Sequence, residues 1–185
     1  QRAQPAVVGG ELMARLAAFD RAQRRITALR TVNKRNPLGS GAIAGSSLPL
    51  DRAFVASDLP VGPPTASSID ATASRDAALD LLYGLSLTAM TLSRWAEQWI
   101  IYCTTEFGFV TLDDRYTTGS SMMPQKQNPD MLELIRGRCG NVYGNLMSLL
   151  VICKGLTIGY NRDLQEDKRH LPGHGAAHHR HRPVQ

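Results

Sequence analysis

Between Leu12 and Val32 apolar residues recur at Leu12, Leu16, Phe19, Ile26 and Leu29 with arginines between them, the spacing of one helical face. A first long helix is predicted there. From Arg75 to Cys103, Leu79, Leu82, Leu85, Leu87, Met90, Leu92, Trp95 and Trp99 make a nearly all-round apolar pattern without proline, which predicts a second, buried helix. A third is predicted after Asn128, where Pro129 suits the first turn and Asp130 the positive end of the helix dipole. Run to Lys154, it would be about 39 Å long at about 1.5 Å per residue. Between the first two helices, Asn36 to Ser74 holds Pro37, Gly39, Gly41, Gly45, Pro49, Pro60, Gly62, Pro63 and Pro64, a density that breaks long regular elements. A structured connection with one short helix is expected. Glu106 to Asn128 carries glycines and serines and reads as a loop. Neither an internal repeat nor a useful strand pattern appears, so the fold class is all-α, a bundle of long helices.

Composition narrows this further. A chain of 185 residues can hold one ordinary domain with its own core. Apolar residues at 43% and charged residues at 20% fit a folded, water-soluble protein. Apolar runs such as Leu149 to Cys153 fall far short of the roughly 20 residues needed to cross a bilayer, so no membrane span is expected; the location expected of the chain is cytoplasmic. Lys and Arg exceed Asp and Glu by 21 − 16 = 5, a basic excess that suits polyanions or an anionic substrate equally. Arg21, Arg24, Arg25, Arg30, Lys34 and Arg35 fit the solvated face of the first helix better than a nucleic-acid surface. Cys103, Cys139 and Cys153 are odd in number and form no CxxC pair, which points to reduced core thiols. All five histidines (His170, His174, His178, His179 and His181) lie in the final 16 residues among Arg, Gly, Pro and Ala, where nothing could build a core; no metal site is assigned to them. The expected division is a helical domain over 1–168 and an aberrant, disordered tail over 169–185, with the absence of an initiator Met marking Gln1 as a cut edge.

The stretch richest in chemistry runs Gly119-Ser120-Ser121-Met122-Met123-Pro124-Gln125-Lys126-Gln127-Asn128-Pro129. It offers two hydroxyls, a cation, an amide donor and the free N–H groups of a helix start, a set suited to a carboxylate. If a proton is removed beside that carboxylate, charge builds there in the transition state, and donors aimed at it stabilise that state above the ground state. Serine next to glycine could then be the base. Hydroxyls are weak acids, however, and spacing alone fits a serine-rich turn as well.

The same loop closely resembles the signature GSSxMPxKxNP of the fumarase and aspartase superfamily, whose members split C–N or C–O bonds and release fumarate. Two further stretches, Pro37 to Gly45 with Pro49-Leu50-Asp51-Arg52, and Tyr160-Asn161-Arg162-Asp163-Leu164-Gln165-Glu166-Asp167-Lys168, resemble the argininosuccinate lyases within it. Gln1-Arg2-Ala3-Gln4-Pro5 is similar to that family's LQxAQP, so the resemblance runs from Gln1 to Lys168. It implies β-elimination of L-argininosuccinate to L-arginine and fumarate, in arginine biosynthesis, by a homotetramer with a long-helix core and no metal or organic cofactor. Ser120 would be the base. Lys126 and Asn128 would bind the fumarate-forming end, and Tyr160, Gln165 and Lys168 the rest of the substrate. Glu133 would orient the family's histidine, and Arg75-Asp76 resembles a further family pair. Without the resemblance, Glu133 would pass as a helix-start acid, Tyr160 as a core aromatic and Lys168 as a surface charge.

The chain departs from that pattern in two places. The family's histidine belongs to a TxH segment expected just before Gln1, and no histidine occurs before His170. After Lys168 a helical continuation gives way to Arg169-His170-Leu171-Pro172-Gly173-His174, the composition of translation in a wrong frame. The expectation is an internal piece of such a lyase, inactive alone. The alternatives are a crystallin-like structural protein or degenerate remnant of the same fold, and, more weakly, another lyase such as adenylosuccinate lyase.

Overall fold

A computed structural model describes residues 3–171. Helix α1 spans Val8–Val32, opening where Val7 accepts from the N–H groups of Gly10 and Glu11. It starts four residues before the apolar pattern, with two glycines, poor helix formers, in the first turn and Glu11 favourably near the positive end. The connection to the next long helix holds two short helices, one more than expected. Helix α2, Arg52–Asp58, is capped by Asp51, which accepts from the N–H of Phe54 at 2.9 Å. Helix α3, Ser68–Ala73, is capped by Ser67, which accepts from the N–H of Asp70 at 3.2 Å. Side-chain caps of this kind let a one- or two-turn helix persist amid proline.

Hydrogen bonds stand in for a core in this segment. Asn36 is buried; its N–H donates to Pro63 O at 2.8 Å, its C=O accepts from the N–H of Thr65 at 3.0 Å, and Oδ1 accepts from the N–H of Leu38 at 3.0 Å. Arg52 reaches back to Leu38 O at 3.1 Å and Thr65 Oγ1 at 2.9 Å. Gly41 turns the chain at φ +64°, and a Cβ there would lie 2.2 Å from Gly45 O. Only glycine fits that turn.

Helix α4 spans Asp76–Tyr102 and α5 spans Asp130–Cys153. Pro129 stands one residue outside α5, its carbonyl taking the first bond from the N–H of Glu133 at 3.1 Å, so it fills the cap position instead of the first turn. Two-residue strands, β1 (Thr118–Gly119) and β2 (Gln127–Asn128), pair antiparallel in the loop before it. These and a single bridge between Asn36 and Pro64 are the extended pairings among the described residues, and the fold is all-α.

The chain divides into two compact units, one of Gln1–Arg24 with Gly84–Gly144 and the other of Arg25–Tyr83 with Asn145–Gln185. In the first, α4 lies between α1 and α5. Phe19 and Trp95 approach to 5.8 Å, Trp95 and Trp99 meet edge-on at 5.2 Å, and Arg15 bonds Gln98. On the other side Cys139 Sγ donates to Ala89 O at 3.1 Å, and Arg136 pairs with Glu97. Ala89, Ala96 and Cys139 are buried, and small side chains there let the backbones come close. In the second unit Leu82, Leu149 and Leu164 form the buried centre, and Asn33 donates to Asp80 at 3.1 Å.

The expected all-round burial of α4 is corrected: Tyr83, Met90 and Ile101 are exposed, and so are Leu12 and Leu16 of α1. A helix packed on two sides leaves the positions between those sides open. The described start of the expected tail is structured: Arg169 closes a 3-10 helix and His170 Nδ1 lies 3.4 Å from Asn145 Oδ1. Residues 172–185, with four of the five histidines, lie outside the described residues.

Candidate active site

The seven residues from Ser120 to Lys126 form the tip of the β1–β2 hairpin, closed by the pairs Thr118–Asn128 and Gly119–Gln127. Its base is tied at three points. Asn128 Nδ2 donates to Thr118 O at 3.1 Å, Gln127 Nε2 to Asp114 Oδ1 at 2.7 Å, and Thr118 Oγ1 to Asp130 Oδ2 at 2.5 Å. The last bond joins the hairpin to the first residue of α5. Asp113 secures the neighbouring turn by accepting from Arg115, which holds its carboxyl below the usual range.

Ser120 is half-buried at the start of the tip. Its Oγ accepts from the backbone N–H groups of Met122 at 3.3 Å and Met123 at 3.2 Å. Acceptance leaves the hydroxyl proton available, and two N–H donors favour the oxygen more as it gains negative charge. The bonds that close this turn are thus ones that an anionic oxygen would also use. Lys126 is exposed on the far limb of the tip, and its N–H donates to Met123 O at 2.9 Å. Its full charge outweighs the roughly half charge of the α5 dipole, which Asp130 and Glu133 already offset. Asn128 is placed differently from a free ligand, since its amide donor is engaged across the hairpin.

Glu133 is exposed on the first turns of α5 and faces a cavity of about 500 Å³ with Gln127, Pro129, Cys103, Thr104 and Glu106. Ser120 and Lys126 do not line that cavity, so the carboxylate and the hydroxyl serve different surfaces of the same unit.

The remaining candidates belong to the second unit. A 3-10 helix spans Arg162–Arg169, and three residues per turn place Gln165 and Lys168 on one edge. Both are exposed. Gln165 Nε2 donates to Tyr160 Oη at 2.8 Å, which joins two of the three candidates directly. Just before Tyr160, buried Gly159 has φ +105°, and a Cβ there would lie 2.6 Å from Ile43 Cδ1. Ile43 from the glycine-rich connection therefore seats the start of this segment. Arg75 Nε donates to Asp167 Oδ2 at 2.5 Å on its inner side. Nearby, burial pushes the Cys153 thiol up, Arg75 draws it down, and Asp167 and Asp76 add to the rise. Among the described residues no group of three or more His, Cys, Asp or Glu could hold a metal ion, and no helix is long and apolar enough to cross a membrane.

Residues 1–144 match the sequence model of a family described as Lyase. The chain belongs to this lyase family. It is 50% identical over 173 residues to the argininosuccinate lyase of Anaeromyxobacter sp. (strain K), covering 94% of this chain and 37% of that protein. The argininosuccinate lyase of Carboxydothermus hydrogenoformans is 49% identical over 171 residues, covering 92% and 38%. The chain thus spans little more than a third of the length of the curated relatives it matches. Among solved structures, an EDDS lyase in complex with formate has a TM-score of 0.83 at 29% identity, covering 87% of this chain and 32% of that one. A class II fumarase from Schistosoma mansoni has a TM-score of 0.73 at 20% identity, covering 94% and 43%, a likeness in fold.

Some participants escaped sequence reasoning. The Met122 and Met123 amides are invisible in a string of side chains, and Thr118 and Asp114 gave no signal as anchors of the hairpin. Asp167 did leave a trace, because Leu164 and Asp167 stand three apart between exposed polar pairs.

Proposed function

We propose that this chain supplies the base loop and a substrate-holding segment of an argininosuccinate lyase, which eliminates fumarate from L-argininosuccinate and leaves L-arginine. The observation that carries the reading is Ser120 Oγ receiving two backbone N–H bonds at the tip of a tied hairpin. Ser120, having released its own proton to solvent as the alkoxide that those two N–H bonds favour, takes the proton from the carbon beside the substrate carboxylate and returns to the neutral hydroxyl. Electrons from that C–H bond form the new double bond as the C–N bond breaks, and the pair released goes to the departing nitrogen. Lys126 steadies the negative charge that builds on the carboxylate, the term in such reactions that positioned charges lower most. Asn128 keeps the hairpin closed and meets substrate only by exchanging its bond to Thr118. Tyr160, Gln165 and Lys168 hold the arginine-bearing part, a choice supported by the near 50% identity to argininosuccinate lyases.

Glu133 orients a histidine that lies outside these 185 residues, since none occurs before His170. The chain alone is therefore inactive, and activity belongs to a cytoplasmic homotetramer serving arginine biosynthesis. A structural, crystallin-like role of the same fold is the second reading, and it differs from the first in turnover. The test is a chimera in which residues 1–168 replace the matching stretch of the Anaeromyxobacter relative. Turnover of argininosuccinate by a folded chimera supports the lyase reading, and a folded, tetrameric but inert chimera supports the structural one.

A further inference from the structure

The burial of the segment 161–170 repeats every three residues. Leu164 and Asp167 are buried, Asn161 and His170 are half-buried on the same line, and every residue between them is exposed. That is the period of a 3-10 helix lying with one edge inward. Such helices seldom exceed three or four residues, so one of eight needs an external hold. Leu164 supplies apolar contact, which has no direction. The Glu166–Arg169 pair is exposed and holds little, and the His170–Asn145 contact is long at 3.4 Å. The directional hold is Asp167. Its partner Arg75 is fixed in turn by donating to Thr72 O at 3.2 Å and Ser74 O at 2.8 Å at the end of α3. Asp167 Oδ1 is buried with no hydrogen bond among the described residues, so loss of Arg75 would leave the whole carboxylate unpaired.

We propose that Arg75 and Asp167 are a positioning pair that sets the rotation of the 3-10 helix 162–169 and so aims Gln165 and Lys168 at the substrate. A turn of one residue, about 120° in this helix type, would bring Gln165 and Lys168 inward and separate Gln165 from Tyr160. Neither member of the pair touches substrate; both act through the edge they fix. The substrate part of this inference rests on the lyase reading, whereas the structural part does not.

Two measurements separate them. In the full 185-residue chain, Asp167→Asn should speed amide hydrogen exchange of 162–169 by about tenfold or more and leave the hairpin 118–128 unchanged. In the active chimera the same change should raise KM about tenfold with kcat within about twofold, because uniform binding is lost and the base is untouched. Arg75→Lys should fall between, because an ammonium still pairs with Asp167 but cannot hold Thr72 O and Ser74 O at the same time. Unchanged exchange in 162–169, or acceleration spread evenly over the chain, would overturn the proposal. So would a fall in kcat at constant KM. If the unaltered chimera is inert, the lyase reading fails while the exchange experiment still decides the pairing.

Discussion

Ser120 is the residue whose proposed chemistry depends most on its neighbours. The signature around it was legible as a string, and Lys126 and Asn128 were singled out with it. What the string hides is that Met122 and Met123 offer amides to the serine oxygen and that Asn128 spends its donor on Thr118. Backbone donors carry no residue identity, so no reading of side chains could find them. For Lys126 the account predicts that Lys126→Ala in the chimera lowers kcat/KM by about 10²- to 10³-fold with the fold intact. A change under threefold would assign the lysine to the loop alone. The thiols offer a second check. Burial raises Cys103 and Cys153 above the ordinary thiol pKa of about 8.5, so less thiolate is present near neutral pH. Alkylation of the folded chain should be slower than that of the unfolded chain and should climb only as pH passes the ordinary range. By linkage, a raised thiol contributes stability below its unfolded pKa that is lost as pH rises through the folded one. Equal alkylation rates for folded and unfolded chains would contradict the placement.

At the level of elements, the first two long helices follow from the apolar pattern, a signal repeated over many residues, and the third from its proline and acidic start. Short elements have no such redundancy. Helices α2 and α3 depend on single caps, Asp51 and Ser67, and strands β1 and β2 are too short to show any alternation. The 3-10 helix escaped because its period of three is written in only two buried positions, Leu164 and Asp167. Burial separates the strong positions from the weak. Leu149→Ala and Leu82→Ala should each cost about 2–5 kcal/mol in denaturant melts, since both side chains are fully enclosed. Met122→Ala, at 88% exposure, should stay within about 0.5 kcal/mol. In the glycine-rich connection Gly41→Ala should destabilise by more than about 1 kcal/mol, given the φ of +64° and the carbonyl in the way. A neutral Gly41→Ala would mean that this turn is not held as described.

On the scale of the whole molecule, both an all-helical fold and a lyase ancestry could be inferred from sequence, the first from pattern and the second from resemblance. A homotetramer entered only as what the resemblance implies, because an apolar face looks the same whether it meets its own chain or another. The structure leaves Leu12, Leu16, Met131, Leu134, Met147 and Leu150 on long helices exposed. Exposed apolar side chains in this number favour self-association of a chain of these 185 residues. The chain should therefore sediment above its monomer mass of 20.2 kDa. A well-behaved monomer would remove the support for the tetramer. The most direct test of the central claim is fumarate release from argininosuccinate by the chimera carrying residues 1–168, with and without Ser120→Ala. The account predicts turnover by the first and a loss of about 10³-fold or more by the second, with helicity and oligomeric mass unchanged. Turnover retained by Ser120→Ala would contradict the assignment of Ser120 as the base.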